Sequence, residues 1–137
     1  MTHLTGVAAT FVAALAFATA AAAPAPDAAK QVAATGIAPG YVDVPSADKL
    51  MAAGVTVLDV RTAEEFGAGH LPGALNIPFD EVAKRHAEVG PPTTPVLVYC
   101  KSGRRSAVAA QELRKAGFGA IYDMKAYDAW AAAHGKK

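Results

Sequence analysis

The chain has a single cysteine, Cys100, among its 137 residues. That scarcity excludes an intramolecular disulfide, a C-x-x-C redox pair and a cysteine-rich zinc site within one chain. Its four histidines, His3, His70, His86 and His134, are scattered and form no H-E-x-x-H or comparable pattern, so no metal site is expected. Charge of one sign is lacking too: the formal net charge is +1, and aromatic residues are only 7% of the total. There is no basic stripe with interleaved aromatics, and hence no reason to expect a nucleic-acid partner. At this length one domain is expected rather than two.

The longest uncharged apolar stretch, residues 7–23, reads "VAATFVAALAFATAAAA". It is short for a membrane span, which takes roughly 20 apolar residues. It ends in small residues that suit an A-x-A cleavage site, with Ala20 and Ala22 in the key positions. Residues 1–22 are therefore read as a signal peptide, although no Lys or Arg precedes the apolar run. This reading places the mature chain in the periplasm or outside the cell, with no stable membrane insertion after cleavage. An oxidising compartment with one unpaired thiol points to a reactive role for that thiol. Residues 23–40 are rich in Ala, Pro and Gly and read as a flexible linker, with a helical turn near 28–34. The folded domain is expected over 41–137.

From residue 41 onward helix and strand signals alternate. Residues 41–44, 55–60, 74–77, 96–99 and 120–122 are the strand candidates. Helices are predicted over 47–53 with Ser46 as cap, from Thr62 to about Phe66, and over 80–88, 106–116 and 127–133. Thr62 and Glu65 match the capping box T-x-x-E, in which each end satisfies the other's backbone N–H. Strands separated by helices imply a parallel sheet covered on both faces. In such sheets reactive groups lie beyond the carboxyl ends of the strands. Cys100 falls at that end of the most apolar strand, "VLVY".

Lys101, Arg104 and Arg105 all lie within five residues of Cys100, and Gly103 sits between them. Thiolate, the nucleophilic form of cysteine, is favoured by nearby cations and inward-facing amides. Gly103 permits a positive φ, so successive N–H groups can curl into an anion-binding nest, and the following helix adds its partial positive charge. Ser102 and Ser106 can donate hydroxyl hydrogen bonds. Such a cup would hold a thiolate, a persulfide or a bound oxyanion.

"CKSGRRS" resembles the active-site loop of single-domain rhodaneses, C-x-x-G-x-R-[S/T], with Cys100, Gly103, Arg105 and Ser106 in its fixed positions. "VLDVRTAEEFGAGHLPGALNIP", residues 57–78, is similar to the family's second signature through Asp59, Arg61, Glu65, Phe66, Gly69, His70, Pro72, Gly73, Ala74 and Pro78. One family feature is absent: Lys125 and Ala126 stand where the family has Gly-Gly ahead of Trp130, which leaves that backbone open.

The resemblance implies an α/β three-layer sandwich with a central, mostly parallel five-stranded sheet. It also implies a cofactor-free thiosulfate sulfurtransferase working on a small-molecule sulfur donor and acceptor. Cys100 would be the nucleophile and Lys101, Ser102, Gly103, Arg104 and Arg105 the substrate-binding residues. Asp59, Arg61, His70 and Ser106 are read as structural support. Two alternatives stay open: a sulfane-sulfur carrier or binding module without turnover, and a phosphatase or arsenate reductase of the same fold. The phosphatase pattern is C-x5-R, whereas Cys100 and Arg105 make C-x4-R, a smaller ring.

Overall fold

The computed structural model describes residues 27–135; the expected signal segment, residues 1–22, lies outside them. The elements in chain order are α1 (Ala28–Ala34), β1 (Gly40–Tyr41), α2 (Val44–Ala52), β2 (Thr56–Asp59), α3 (Ala63–Ala68) and β3 (Leu75–Asn76). Then come α4 (Val82–Arg85) with a 3-10 turn at His86–Glu88, β4 (Val96–Cys100), α5 (Arg104–Lys115), β5 (Ile121–Ala126) and α6 (Tyr127–Ala133). Five strands form one sheet in the order β1-β5-β4-β2-β3, and every neighbouring pair runs parallel.

β4 is central, and all five of its residues are buried, as a strand covered on both faces requires. Its side chains alternate between two apolar clusters, following the two-residue period of a strand. Val96, Val98 and Cys100 join Val82, Ala109 and Leu113 on the side of α4 and α5. Leu97 and Tyr99 join Val32, Leu50 and Trp130 on the side of α1, α2 and α6. The result is three layers, helix on sheet on helix. Trp130 Nε1–H donates to Asp48 Oδ1 at 3.0 Å, tying α6 to α2. Among the described residues no helix is long and apolar enough to cross a membrane.

Several boundaries differ from the sequence-based expectation. The helical turn expected near 28–34 is a full helix packed on the domain, with Ala28 and Val32 buried; four residues apart, they share one face. The helix expected from residue 47 begins at Val44, because Asp43 rather than Ser46 is its cap. Asp43 accepts from the Ser46 N–H at 3.0 Å, and Pro45 lies in the first turn, where its missing N–H costs nothing. The strand expected over 41–44 is accordingly cut to Gly40–Tyr41. The helix expected over 80–88 divides into α4 and the 3-10 turn. β5 runs well past residue 122, and its pairing with β4 slips by one residue between Val98 and Tyr99. The Thr62–Glu65 capping box forms as read from sequence.

Candidate active site

The site is built where β4 ends. Cys100 is its last residue, and its side chain is fully buried, at 0% exposure. Residues 101–103 turn the chain over the sulfur and lead directly into α5, two residues earlier than the expected start at Ser106. Gly103 makes this possible. Its φ of 104° is left-handed backbone that residues with a Cβ rarely adopt, and in that conformation its N–H donates to Cys100 Sγ at 2.9 Å. The sequence led us to expect a ring of inward-facing amides. Among the described residues, hydrogen bonding to the sulfur comes from this one amide. The N-terminus of α5 follows immediately and adds its partial positive charge.

Ser106 does not reach the sulfur. It is buried, and its hydroxyl donates to Gly103 O at 3.1 Å, bracing the turn from behind. Arg105 does not point at the sulfur's mouth as a free cation either. Its Nη1 and Nη2 donate to the two carboxylate oxygens of Glu65 at 2.7 and 2.9 Å. Glu65 is the same residue that closes the capping box, accepting from Thr62 N–H at 2.9 Å. The start of α3 and the start of α5, far apart in sequence, are thereby locked together.

The remaining loop cations lie on opposite sides. Lys101 lines a cavity of about 260 Å³ together with Arg61, Glu65, Tyr127 and Asp128. Ser102, Arg104 and Arg105 line another of about 390 Å³ with Phe79 and Val108. The Glu65–Arg105 ion pair stands between the two, one partner facing each. Of the five expected substrate-binding residues, Lys101 thus lines one cavity, Ser102, Arg104 and Arg105 line the other, and Gly103 lines neither.

Asp59 and Arg61 form a buried brace at the end of β2. Asp59 accepts from Arg61 N–H at 2.9 Å, Arg61 Nη2 at 2.6 Å and Tyr99 OH at 2.6 Å. Arg61 Nη2 also donates to Gly69 O at 2.6 Å, and its guanidinium lies 4.3 Å from the Tyr127 ring centre. Tyr99 OH accepts from Leu71 N–H at 3.1 Å. Burial, and then the hydrogen bond to Asp59, push the Tyr99 hydroxyl well above the usual phenol range, so it remains a neutral donor. His70 lies flat on Phe66 at 3.8 Å, with Nδ1 at 2.9 Å from Phe66 O.

Sequence reasoning missed Tyr99 as a member of this network. A polar tip in an otherwise apolar strand, facing an Asp-x-Arg step, was the available signal. The sequence singles out Lys125 only because it stands where the family has glycine, and the structure shows what that backbone does. That residue has the one positive φ outside glycine among the described residues, 66°, and its side chain packs on Gly103.

The Glu65–Arg105 bridge has a consequence for acid stability. Hydrogen bonding from Arg105, with Thr62 behind it, holds the Glu65 carboxyl at about 2 instead of 4.5. A depressed carboxylate stabilises the fold fully above its unfolded value and loses that contribution as pH falls through its folded one. The bridge is therefore at full strength above pH 4.5 and weakens down to about 2. Because both side chains are partly exposed, about 1 kcal/mol is expected after solvent screening. Denaturant titrations of wild type and Glu65→Gln should differ by this amount at neutral pH and converge towards pH 2. A constant difference across that window would rule the bridge out as its source.

A parallel sheet, a cysteine at the end of its central strand and an amide turned onto that sulfur define a class of cysteine-loop α/β domains. Within it the chain belongs to the rhodanese-like domain family, whose model matches residues 43–133. It is 37% identical over 106 residues to the chloroplastic thiosulfate sulfurtransferase 16 of Arabidopsis thaliana, covering 68% of this chain and 88% of that one. A sulfurtransferase of Allochromatium vinosum is 35% identical over 78 residues, covering 56% of this chain and 72% of the other. Two Bacillus subtilis relatives are 42% and 44% identical over 64 and 69 residues, and the chain spans only 34% and 54% of their lengths. Among solved structures, a human single-domain sulfurtransferase superposes with a TM-score of 0.58 at 28% identity, covering 67% of this chain and 95% of that one. A rhodanese from E. coli with bound anions gives 0.52 at 33% identity, covering 54% and 88%.

Proposed function

We infer that this chain is a thiosulfate sulfurtransferase that works through a persulfide on Cys100. The observation that carries the reading is the Gly103 N–H held 2.9 Å from Cys100 Sγ, where it favours negative charge on sulfur. In the first half-reaction the thiolate attacks the outer sulfur of thiosulfate. A bond from Sγ to that sulfur forms, the S–S bond of thiosulfate breaks, and sulfite leaves with the electron pair. In the second, cyanide or a thiolate attacks the outer sulfur of the persulfide. The Sγ–S bond breaks and its electron pair returns to Sγ, giving back the thiolate. The cycle is ping-pong, with no cofactor in either half. The names of the Arabidopsis and Allochromatium relatives support sulfur transfer as the chemistry.

Each half-reaction requires the sulfur to be reached. Cys100 is covered, so the groups over its sulfur must move aside for substrate while the Gly103 N–H stays on Sγ. Intact mass spectrometry after thiosulfate exposure should show a gain of one sulfur atom, lost again on adding cyanide as thiocyanate appears. A mass gain that persists in cyanide would make the protein a carrier, and no gain would overturn the reading. Run on exported protein, the same spectrum tests the proposal that residues 1–22 are removed and that the mature chain is periplasmic or secreted.

A further inference from the structure

Lys125 combines three independent features. Its backbone is left-handed, at φ 66°, a conformation an L-residue with a Cβ disfavours. It lies at the slip in β4–β5 pairing, where Val98 pairs with Asp123 but Tyr99 pairs with Lys125. The slip leaves Met124 without a partner on β4 and sets Lys125 opposite Tyr99, a bulge that distorts the ladder locally. Asp123 Oδ1 accepts the Lys125 N–H at 2.8 Å, which holds the bulge in place.

The Lys125 side chain passes over the cysteine loop. A Cβ placed on Gly103 would stand 3.1 Å from Lys125 Cβ, 3.3 Å from Cγ and 3.4 Å from Cδ. The aliphatic stem therefore lies on the residue whose N–H meets Cys100 Sγ. The ammonium continues past the loop and comes to rest 4.3 Å from the ring centre of Tyr41, an exposed residue of the edge strand β1. This cation–aromatic contact anchors the far end of the stem.

We propose that Lys125 is a positioning residue for sulfur transfer: its stem, pinned between the β5 bulge and Tyr41, holds the Gly103 peptide with its N–H aimed at Cys100 Sγ. The inference rests on the sulfurtransferase reading for its effect on turnover, but not for its effect on the thiol. It assigns a purpose to a strained lysine that packing alone does not require.

Because Cys100 is the sole cysteine, alkylation by iodoacetamide reports on it without ambiguity. The rate should be followed against pH for wild type, Lys125→Ala and Lys125→Met. In K125A the stem is gone while the disfavoured backbone remains. Its alkylation midpoint should rise by about half a pH unit, and kcat/KM for thiosulfate should fall about tenfold, less than for complete loss of a positioned donor. K125M keeps a stem of similar reach without the charge, and its midpoint should stay at the wild-type value. An unmoved midpoint in K125A overturns the proposal. So does a K125M midpoint displaced as far as that of K125A, since charge rather than the stem would then be responsible. Should K125A fail to fold, Lys125→Gly carries the same test, because glycine suits this φ. If wild type forms no thiocyanate, the sulfurtransferase reading falls while the alkylation midpoints still decide the role of Lys125.

Discussion

Replacing Cys100 with serine is expected to lower thiocyanate formation by at least about 10³-fold, to the level without protein. Two physical reasons combine. A serine hydroxyl is a far weaker nucleophile toward sulfane sulfur than the thiolate that a cysteine supplies. Oxygen also cannot carry the outer sulfur as a persulfide, so the covalent intermediate is lost rather than slowed. Serine is the right substitution for the test because its oxygen still accepts the Gly103 N–H that Sγ accepts in the wild type. Alanine would leave that part-buried donor without its acceptor and add a structural penalty of about 1 kcal/mol. Thermal unfolding of Cys100→Ser should therefore show a folded protein with a modest loss of stability. Equal thiocyanate rates in the two proteins would remove Cys100 from the chemistry. A residual sulfur mass gain in the mutant would do the same.

The second large effect concerns stability. Asp59→Ala is expected to destabilise the domain by about 3–5 kcal/mol. Asp59 is fully buried, at 0% exposure, and Arg61 nearly so, at 4%. Removing the carboxylate leaves a guanidinium charge inside the fold and takes away the acceptor of the Tyr99 hydroxyl, 2.6 Å away. The contact with Gly69 O and the faces of Tyr127 and Tyr99 offset only part of that. At roughly 4 °C per kcal/mol for a domain of this size, Tm should fall by about 12–20 °C. The diagnostic comparison is the double mutant Asp59→Ala/Arg61→Ala. Without the stranded cation it should be less destabilised than Asp59→Ala alone, a coupling that a double-mutant cycle measures directly. Additive losses would show that the pair acts as two separate residues. Because Arg61 and Tyr127 also line the cavity beside Lys101, activity should be measured well below the lowered Tm.

Much of the framework was readable because it depends on neighbours in sequence. The apolar run at 96–99 needs burial on both faces, and a strand in the middle of a parallel sheet supplies it. The Thr62–Glu65 box closes within one turn. Gly103 announces a positive φ, and the cysteine beside it announces a use for the amide. Other features depended on competition between local signals. Ser46 was expected to cap the helix, but entry through Val44 and Pro45 gives that place to Asp43, whose side chain accepts the Ser46 N–H. Residues 23–40 have the composition of a linker, yet Ala28 and Val32 find a surface to pack on, which composition cannot express.

By itself, the sequence determined the alternation of strand and helix, the placement of Cys100 at a strand's carboxyl end and the tight turn that follows it. These are consequences of hydrophobic period and backbone stereochemistry, which act over a few residues. Only the tertiary structure decided that Arg105 spends its charge on Glu65, that Tyr99 completes the Asp59–Arg61 brace, and that Lys125 leans on Gly103. Each of those pairings joins separate elements through side-chain tips, and the distance between tips is set by strand order and register. A one-residue slip in β5 sets Lys125 opposite Tyr99, and the chain hints at it only through the residues that stand where the family has Gly-Gly.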